Sequence, residues 1–480
     1  MSNIKKNFLY SSILTTANYI FPFLTYPYVS RVLGVHNIGI CNFVDSIINY
    51  FILFSMMGIA ATGIREIAKS KNNPENRNRI FSSLFILNTI STTIALIILI
   101  ISIYSVPKLY EYKELMYIGA LKLVCNYLLI DWLYRGLEEF KYVTIRTIIV
   151  KCIYVGAVFI FIHKSNDYKT YYLISCLMIT FNALFNGTYA RKFVRLSFSN
   201  ITLKPYIHSF IILGIYCILT SMYTSFNVAY LGFASNETEV GYYTTATKLY
   251  SILLAIFTAF TGVLLPRMST LVAENKIEEF KLLLQKSINI LFTFSIPTII
   301  FSIIMAPEII AIIAGKGYEG AIIPMRIVIP LMLIIGYEQI LVIQTLMPLK
   351  KDKYILCNSI CGATIGICMN LALVSTYKSI GSSIVWVVSE ITVLTLSQYF
   401  VNKCIHTVFP TTKLIKNILW HLPLIGGIYA IHISNFNAVI TLIIGGSITL
   451  AYCSIIQIYF LKNEVILQLI KHQFHAKQKS

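Results

Sequence analysis

Four bases, Arg31, Lys122, Lys248 and Arg326, and four acids, Asp45, Asp131, Glu338 and Glu390, stand in or at the edge of long apolar runs of this 480-residue chain. An ionised side chain at a bilayer centre costs about 2.5–3.5 kcal/mol on insertion scales, so such groups should line a wet cavity or pair. Guanidinium and ammonium groups suit phosphate oxygens, Arg through paired bonds and Lys as a point charge. The four bases are therefore candidates for binding an anionic substrate. Lys122 and Lys248 lie deepest, and Arg31 closes the first apolar run where it can look back into a cavity mouth. Arg326 and a further base, Lys151, also lie within snorkelling reach of an interface, which is the reading favoured for both. A carboxyl in a site that is alternately dry and wet can take up and release a proton, so the four acids are candidates for ion coupling. Asp131 has Arg135 four residues on, and pairing between them is weighted above coupling. Asp45, Glu338 and Glu390 have no obvious local base.

The elements that carry these residues are runs of membrane-spanning length, roughly 20 mostly apolar residues each. About fourteen are expected, near 10–32, 38–63, 81–105, 114–134, 144–163, 169–190, 207–232, 240–266, 286–314, 321–348, 355–377, 379–402, 414–433 and 437–461. Most of the 39 Lys and Arg fall in every second gap, which is the positive-inside pattern and puts the N- and C-termini in the cytoplasm. The formal net charge of +19 sits on that side. Charge spread over short loops facing anionic lipid accounts for it, so nucleic acid is set aside. Hydrophobic residues make up 57% and charged residues 12% of the chain, well away from a soluble domain's usual quarter charged. The ten cysteines include no CxxC pair, and Cys357 and Cys361, one turn apart, have no His or acid beside them. Neither disulfides, a metal nor a cofactor is expected. There is no GxxxxGK[ST] phosphate loop, so work must come from an ion gradient, the membrane potential or the substrate gradient.

An internal repeat is discernible. "YPYVSRVLGVHNIGICNFVDS" (26–46) echoes in "NVAYLGFASNETEVGYYTTATK" (227–248), with Gly39 and Gly241 in register. An even number of spans separates the units, which is the parallel-repeat plan of many transporters. The expected architecture is all-α and polytopic, two six-helix lobes in pseudo-two-fold relation plus two C-terminal helices. Its parts are residues 1–204 (helices 1–6), 205–403 (helices 7–12) and 404–480 (helices 13–14 and a basic tail), with a central cavity between the lobes. Pro22, Pro27, Pro324, Pro330 and Pro348 should bend spans 1 and 10.

Four segments, "FPFLTYPYVSRVLG" (21–34), "DWLYRGLEEFKYVTIRTI" (131–148), "VGYYTTATKLYSILLAIFTAFTGVLLPRMS" (240–269) and "YEQILVIQTLMPLKKDKY" (337–354), together resemble the Wzx-type polysaccharide flippases. These belong to the multidrug/oligosaccharidyl-lipid/polysaccharide superfamily, whose MATE-like fold has the same two lobes. The resemblance implies a multi-pass protein of the bacterial inner membrane. It would flip undecaprenyl-pyrophosphate-linked oligosaccharide repeat units from the cytoplasmic to the periplasmic leaflet by alternating access, for O-antigen (lipopolysaccharide), capsule or exopolysaccharide biosynthesis. It implies no enzymatic step of its own. Implied partners are the lipid-linked oligosaccharide, the bilayer, H+ or Na+ as coupling ion, and polysaccharide polymerase machinery.

Two other readings compete. A cation-coupled multidrug exporter of the same superfamily would turn its acids, rather than Lys122 and Lys248, toward the cavity. A membrane-embedded polysaccharide polymerase or ligase would need catalytic groups near the outer surface, where the loops are short and offer little besides Glu237 and Glu239.

Overall fold

Apolar chain in lipid must satisfy its backbone N–H and C=O groups internally, so helix is what this composition demands. The computed structural model describes residues 2–197, 201–434 and 436–461, and it is helical almost throughout, without a strand among those residues. The basic tail from 462 onward lies outside them. Twelve helical stretches are long and apolar enough to cross a membrane. The chain is therefore a multi-pass membrane protein.

Two of these stretches, Leu9–Lys69 with 61 residues and Asp352–Ile405 with 54, far exceed the roughly 20 residues of one crossing. The first is broken at Gly34 (φ 76°), a left-handed position that glycine occupies without strain. The second is broken at Lys378 (φ 50°), where the side chain makes a positive φ costly. The boundaries expected from sequence between spans 1 and 2, and between spans 11 and 12, fall at these breaks.

The chain packs as two compact units, residues 1–241 and 242–480. In the first, the helix Ser2–Met56 packs against Phe140–Phe161, Pro74–Ser105 and Lys113–Asn126. At its basic end, the short helix Asp131–Gly136 lies on Ile59–Lys69. The approach is close because Gly63 sits under the Trp132 ring, where a Cβ would come within 2.4 Å, and Gly136 sits under Ile67, where it would come within 2.8 Å. Trp132, Leu133 and Tyr134 are buried there with Phe81 and Leu84. Gly39 and Gly241, aligned by the repeat, also make a close backbone approach within this unit. A Cβ on Gly39 would lie 1.7 Å from Glu237 O, and one on Gly241 2.3 Å from Val35 O.

In the second unit, the helix Ile277–Ile304 packs against Thr411–His432, Leu331–Leu341 and Ala438–Ile455. The tenth expected span is interrupted after Ile322–Val328, resumes as Leu331–Leu341 and ends in a π-helical turn, Val342–Leu346. Pro330 at the interruption has no N–H to continue the ladder, as expected for a proline-bent span.

Candidate functional site

Gly119 sets the geometry of the charged centre in the first unit. A Cβ there would meet Ile48 Cγ1 at 2.4 Å and the Tyr172 hydroxyl at 3.0 Å, so the helix Lys113–Asn126 lies almost directly on the second half of Ser2–Met56. Lys122 follows three residues later on the same face. Its ammonium donates to Asp45 Oδ1 at 2.6 Å and to Asn49 Oδ1 at 2.9 Å. Asn49, one turn beyond Asp45, donates back to Asp45 Oδ2 at 3.0 Å. Lys122 is 8% exposed, whereas the Asp45 side chain keeps 35% of its surface open. Asp45 thus has a partner, Lys122, that no local sequence reading supplies. An anion reaching Lys122 would arrive from the side of Asp45.

Asp131 pairs differently from the expectation. Its carboxylate receives Arg146 Nη1 at 3.0 Å and Asn186 Nδ2 at 2.8 Å, and Arg146 also donates to Asn186 Oδ1. Arg135, the expected partner, is exposed instead. The reason is the helix break at 127–130: Asp131 opens the new helix Asp131–Gly136, so its carboxyl meets the facing helices Phe140–Phe161 and Tyr168–Ala190 rather than its own next turn. Arg146 is 6% exposed, and its Nε has no hydrogen-bond partner among the described residues.

Lys151 does not snorkel. It is buried against the first half of Ser2–Met56, with its ammonium 3.4 Å from Ala17 O and over the Phe21 ring. Arg31 is exposed and folds back onto Pro27 O at 2.7 Å.

In the second unit, Glu338 on Leu331–Leu341 and Glu390 on Asp352–Ile405 present their carboxyls to one another. Glu390 is 2% exposed. Its Oε1 accepts from Trp386 Nε1 at 3.0 Å, while Oε2 has no hydrogen-bond partner among the described residues. Lys248 is half-buried in Glu237–Ala273. Arg326 is exposed and donates to Ile303 O at 3.0 Å.

The residues that sequence reasoning passed over are Asn49, Arg146, Asn186 and Trp386. Two left a signal in their spacing, since Asn49 stands four after Asp45 and Trp386 four before Glu390. Arg146 and Asn186 reach Asp131 across separate helices, and no local pattern announces that. Among the described residues, no group of three or more His, Cys, Asp or Glu side chains could hold a metal.

The family of polysaccharide biosynthesis proteins matches residues 4–272 of this chain. A curated relative from Escherichia coli (strain K12), named "Putative O-antigen transporter", is 25% identical over 409 residues, covering 83% of this chain and 97% of its own length. Its namesake from Shigella dysenteriae is 25% identical over 407 residues, covering 82% and 98%. Among solved structures, the lipid II flippase MurJ in an inward closed conformation is similar with a TM-score of 0.77 at 15% identity, covering 94% of this chain and 98% of that one. An outward-facing MATE-family multidrug transporter is similar with a TM-score of 0.59 at 13% identity, covering 84% and 95%. The MATE-like fold expected from sequence is thereby shown.

Proposed function

The chain belongs to the polysaccharide biosynthesis protein family, and we propose that it carries undecaprenyl-pyrophosphate-linked oligosaccharide repeat units across the bacterial inner membrane by alternating access. At the coarser level it is a polysaccharide-precursor flippase, a transporter and not an enzyme, like the O-antigen transporters it matches over most of its length. In this reading it crosses the membrane fourteen times, with both termini cytoplasmic, and hands its cargo to polymerase machinery outside.

The observation that carries the substrate assignment is Lys122, buried in the helix Lys113–Asn126 yet held by a carboxylate one-third open. A pyrophosphate offers Lys122 what Asp45 offers, in a form that can leave. As phosphate oxygens displace the Asp45 carboxylate, Asp45 turns to water through its open side while Asn49 keeps hold of Lys122. Substrate binding is then one exchange of partners on Lys122. Arg31 is assigned to the same anionic substrate in the first unit, Lys248 and Arg326 to anion binding in the second, and the Glu338–Glu390 pair to proton coupling there. Asp131, locked between Arg146 and Asn186, is assigned a structural role instead.

Complementation tests this reading. The chain is expressed in a bacterium lacking its own repeat-unit flippase, and surface polysaccharide is scored with accumulated lipid-linked precursor. Restored surface glycan with less precursor is expected. Failure in every host of a panel with different repeat units, at normal membrane levels, would overturn it in favour of a drug exporter.

A further inference from the structure

Apart from the charged centres above, the second unit holds a polar cavity of about 400 Å³ at the end where Ile277–Ile304 and Thr411–His432 begin and the C-terminal helix ends. Three lysines line it, Lys286 from the first helix and Lys413 and Lys416 from the second. Among the described residues no carboxylate lines it, and none of the three lysines has an ion-pair partner. Its interior is furnished by side-chain amides. Gln457, 1% exposed, donates to Asn417 Oδ1 at 3.3 Å, and Asn289 Oδ1 receives Lys413 at 3.4 Å.

The electrostatics are unfavourable as they stand. Thr411–His432 has no acid in its first turn, yet Lys413 and Lys416 sit within its first two turns, where the helix already carries partial positive charge. An anion in the cavity would relieve both the mutual repulsion of the lysines and the clash with the helix end. The surrounding surface says what bears that anion. Leu282, Ile415 and Leu419, on the same two helices, are between 50% and 58% exposed, and in a membrane-spanning unit such residues face acyl chains. A basic recess between helices with an apolar rim fits a phosphate whose own tail lies in lipid.

The geometry points to a binding site for the phosphate headgroup of an anionic phospholipid, seated on Lys286, Lys413 and Lys416 with its acyl chains along the rim. The site is separate from Lys122 and independent of the transported substrate. It ties the last two spans to the lipid composition of the leaflet they meet.

The test uses the purified full chain in detergent, titrated with dioleoyl-phosphatidylglycerol or dioleoyl-phosphatidylcholine, with bound lipid counted by native mass spectrometry. Preferential retention of phosphatidylglycerol is expected. At roughly 1 kcal/mol per basic residue near an anionic headgroup, each single variant, K286Q, K413Q or K416Q, should weaken that retention about five-fold. The triple Gln variant should lose the preference, while the triple Arg variant should keep it. The single variants keep the test open if the triple fails to fold. Equal retention of both lipids, or phosphatidylglycerol binding unchanged in every Gln variant, would overturn the proposal. So would displacement of phosphatidylglycerol by inorganic phosphate at equal concentration, which would identify a free-anion site instead.

Discussion

Replacing Asp45 by Asn, Lys122 by Gln, and both together separates what the pair does for folding from what it does for transport. Removing one partner of a buried ion pair typically costs about 3–5 kcal/mol, because a charge is left buried and unpaired. Here Asp45 is about one-third open and Asn49 keeps one bond to the ammonium, so each single change should fall near the lower end. The double variant leaves two neutral amides facing each other and should recover much of the loss. Contacting residues with this behaviour show coupling of about 0.5–3 kcal/mol in a double-mutant cycle, against about 0.5 kcal/mol for independent sites. The assay is reversible denaturant unfolding of the purified protein in detergent, with export of glycan measured in parallel. Additive losses, within that half kilocalorie, would refute direct pairing of Lys122 with Asp45. In the transport arm, Lys122→Gln should abolish export even when normalised to membrane protein level, and Asp45→Asn should retain binding of pyrophosphate-linked substrate. Normal export by Lys122→Gln would remove this residue from the mechanism.

Gly119→Ala would place a Cβ 2.4 Å from Ile48 Cγ1, and overpacking of this kind typically costs about 1–3 kcal/mol. Part of that loss should return in the double variant with Ile48→Ala, measured by the same unfolding assay. Arg146→Gln should lower membrane protein level and thermal stability, as breaking a buried pair costs about 3–5 kcal/mol. Normal stability would show that Asp131 and Asn186 do not depend on it. Glu390→Gln, and separately Glu338→Gln, should flatten the dependence of export on the proton gradient without loss of protein, and an unchanged dependence in both would remove the pair from coupling. Single cysteines in a cysteine-free background should react with an impermeant outside reagent near Asn236 and not near Asn73. The reverse labelling would overturn the proposed orientation.

Much of the fold was legible because membrane helices are specified locally. A run of apolar residues, its length and the basic residues at alternate ends are all read within a short window, and even the turns at Gly34 and Lys378 fell where the runs paused. The pairing of charges was not legible for the opposite reason. Lys122 and Asp45 are 77 residues apart, and Asn186 and Asp131 are 55 apart. Local spacing therefore suggested Arg135 for Asp131, a partner that the helix break at 127–130 removes. Lys151 was misread for a related reason. Depth along its own helix placed it near an interface, but a neighbouring helix covers it and offers the Ala17 carbonyl. Gly119 sets the approach of the helices that carry Lys122 and Asp45, and glycine in an apolar run does not announce which helix it will meet.

How the charges are disposed of bears on function. Left facing lipid, eight charges would cost on the order of 20 kcal/mol at 2.5–3.5 kcal/mol each. The first unit avoids much of that cost by pairing Lys122 with Asp45 and Asp131 with Arg146. Full pairing is a resting arrangement, however, and a transporter that must bind and release an anion needs a cation whose partner can be displaced. The two pairs differ in just this respect. Asp131 is held by two donors on separate helices, and Arg146 is almost wholly enclosed, so exchange there would break a network. Asp45 has an open side and an adjacent amide, Asn49, that keeps hold of Lys122 during an exchange. If displaceability is what separates a working charge from a structural one, a competing anion should protect the unfolding midpoint of the Asp45→Asn protein more than that of the Asp131→Asn protein. Inorganic pyrophosphate is the probe. Equal protection of both, or of neither, would show that openness of the acid does not govern access to the base.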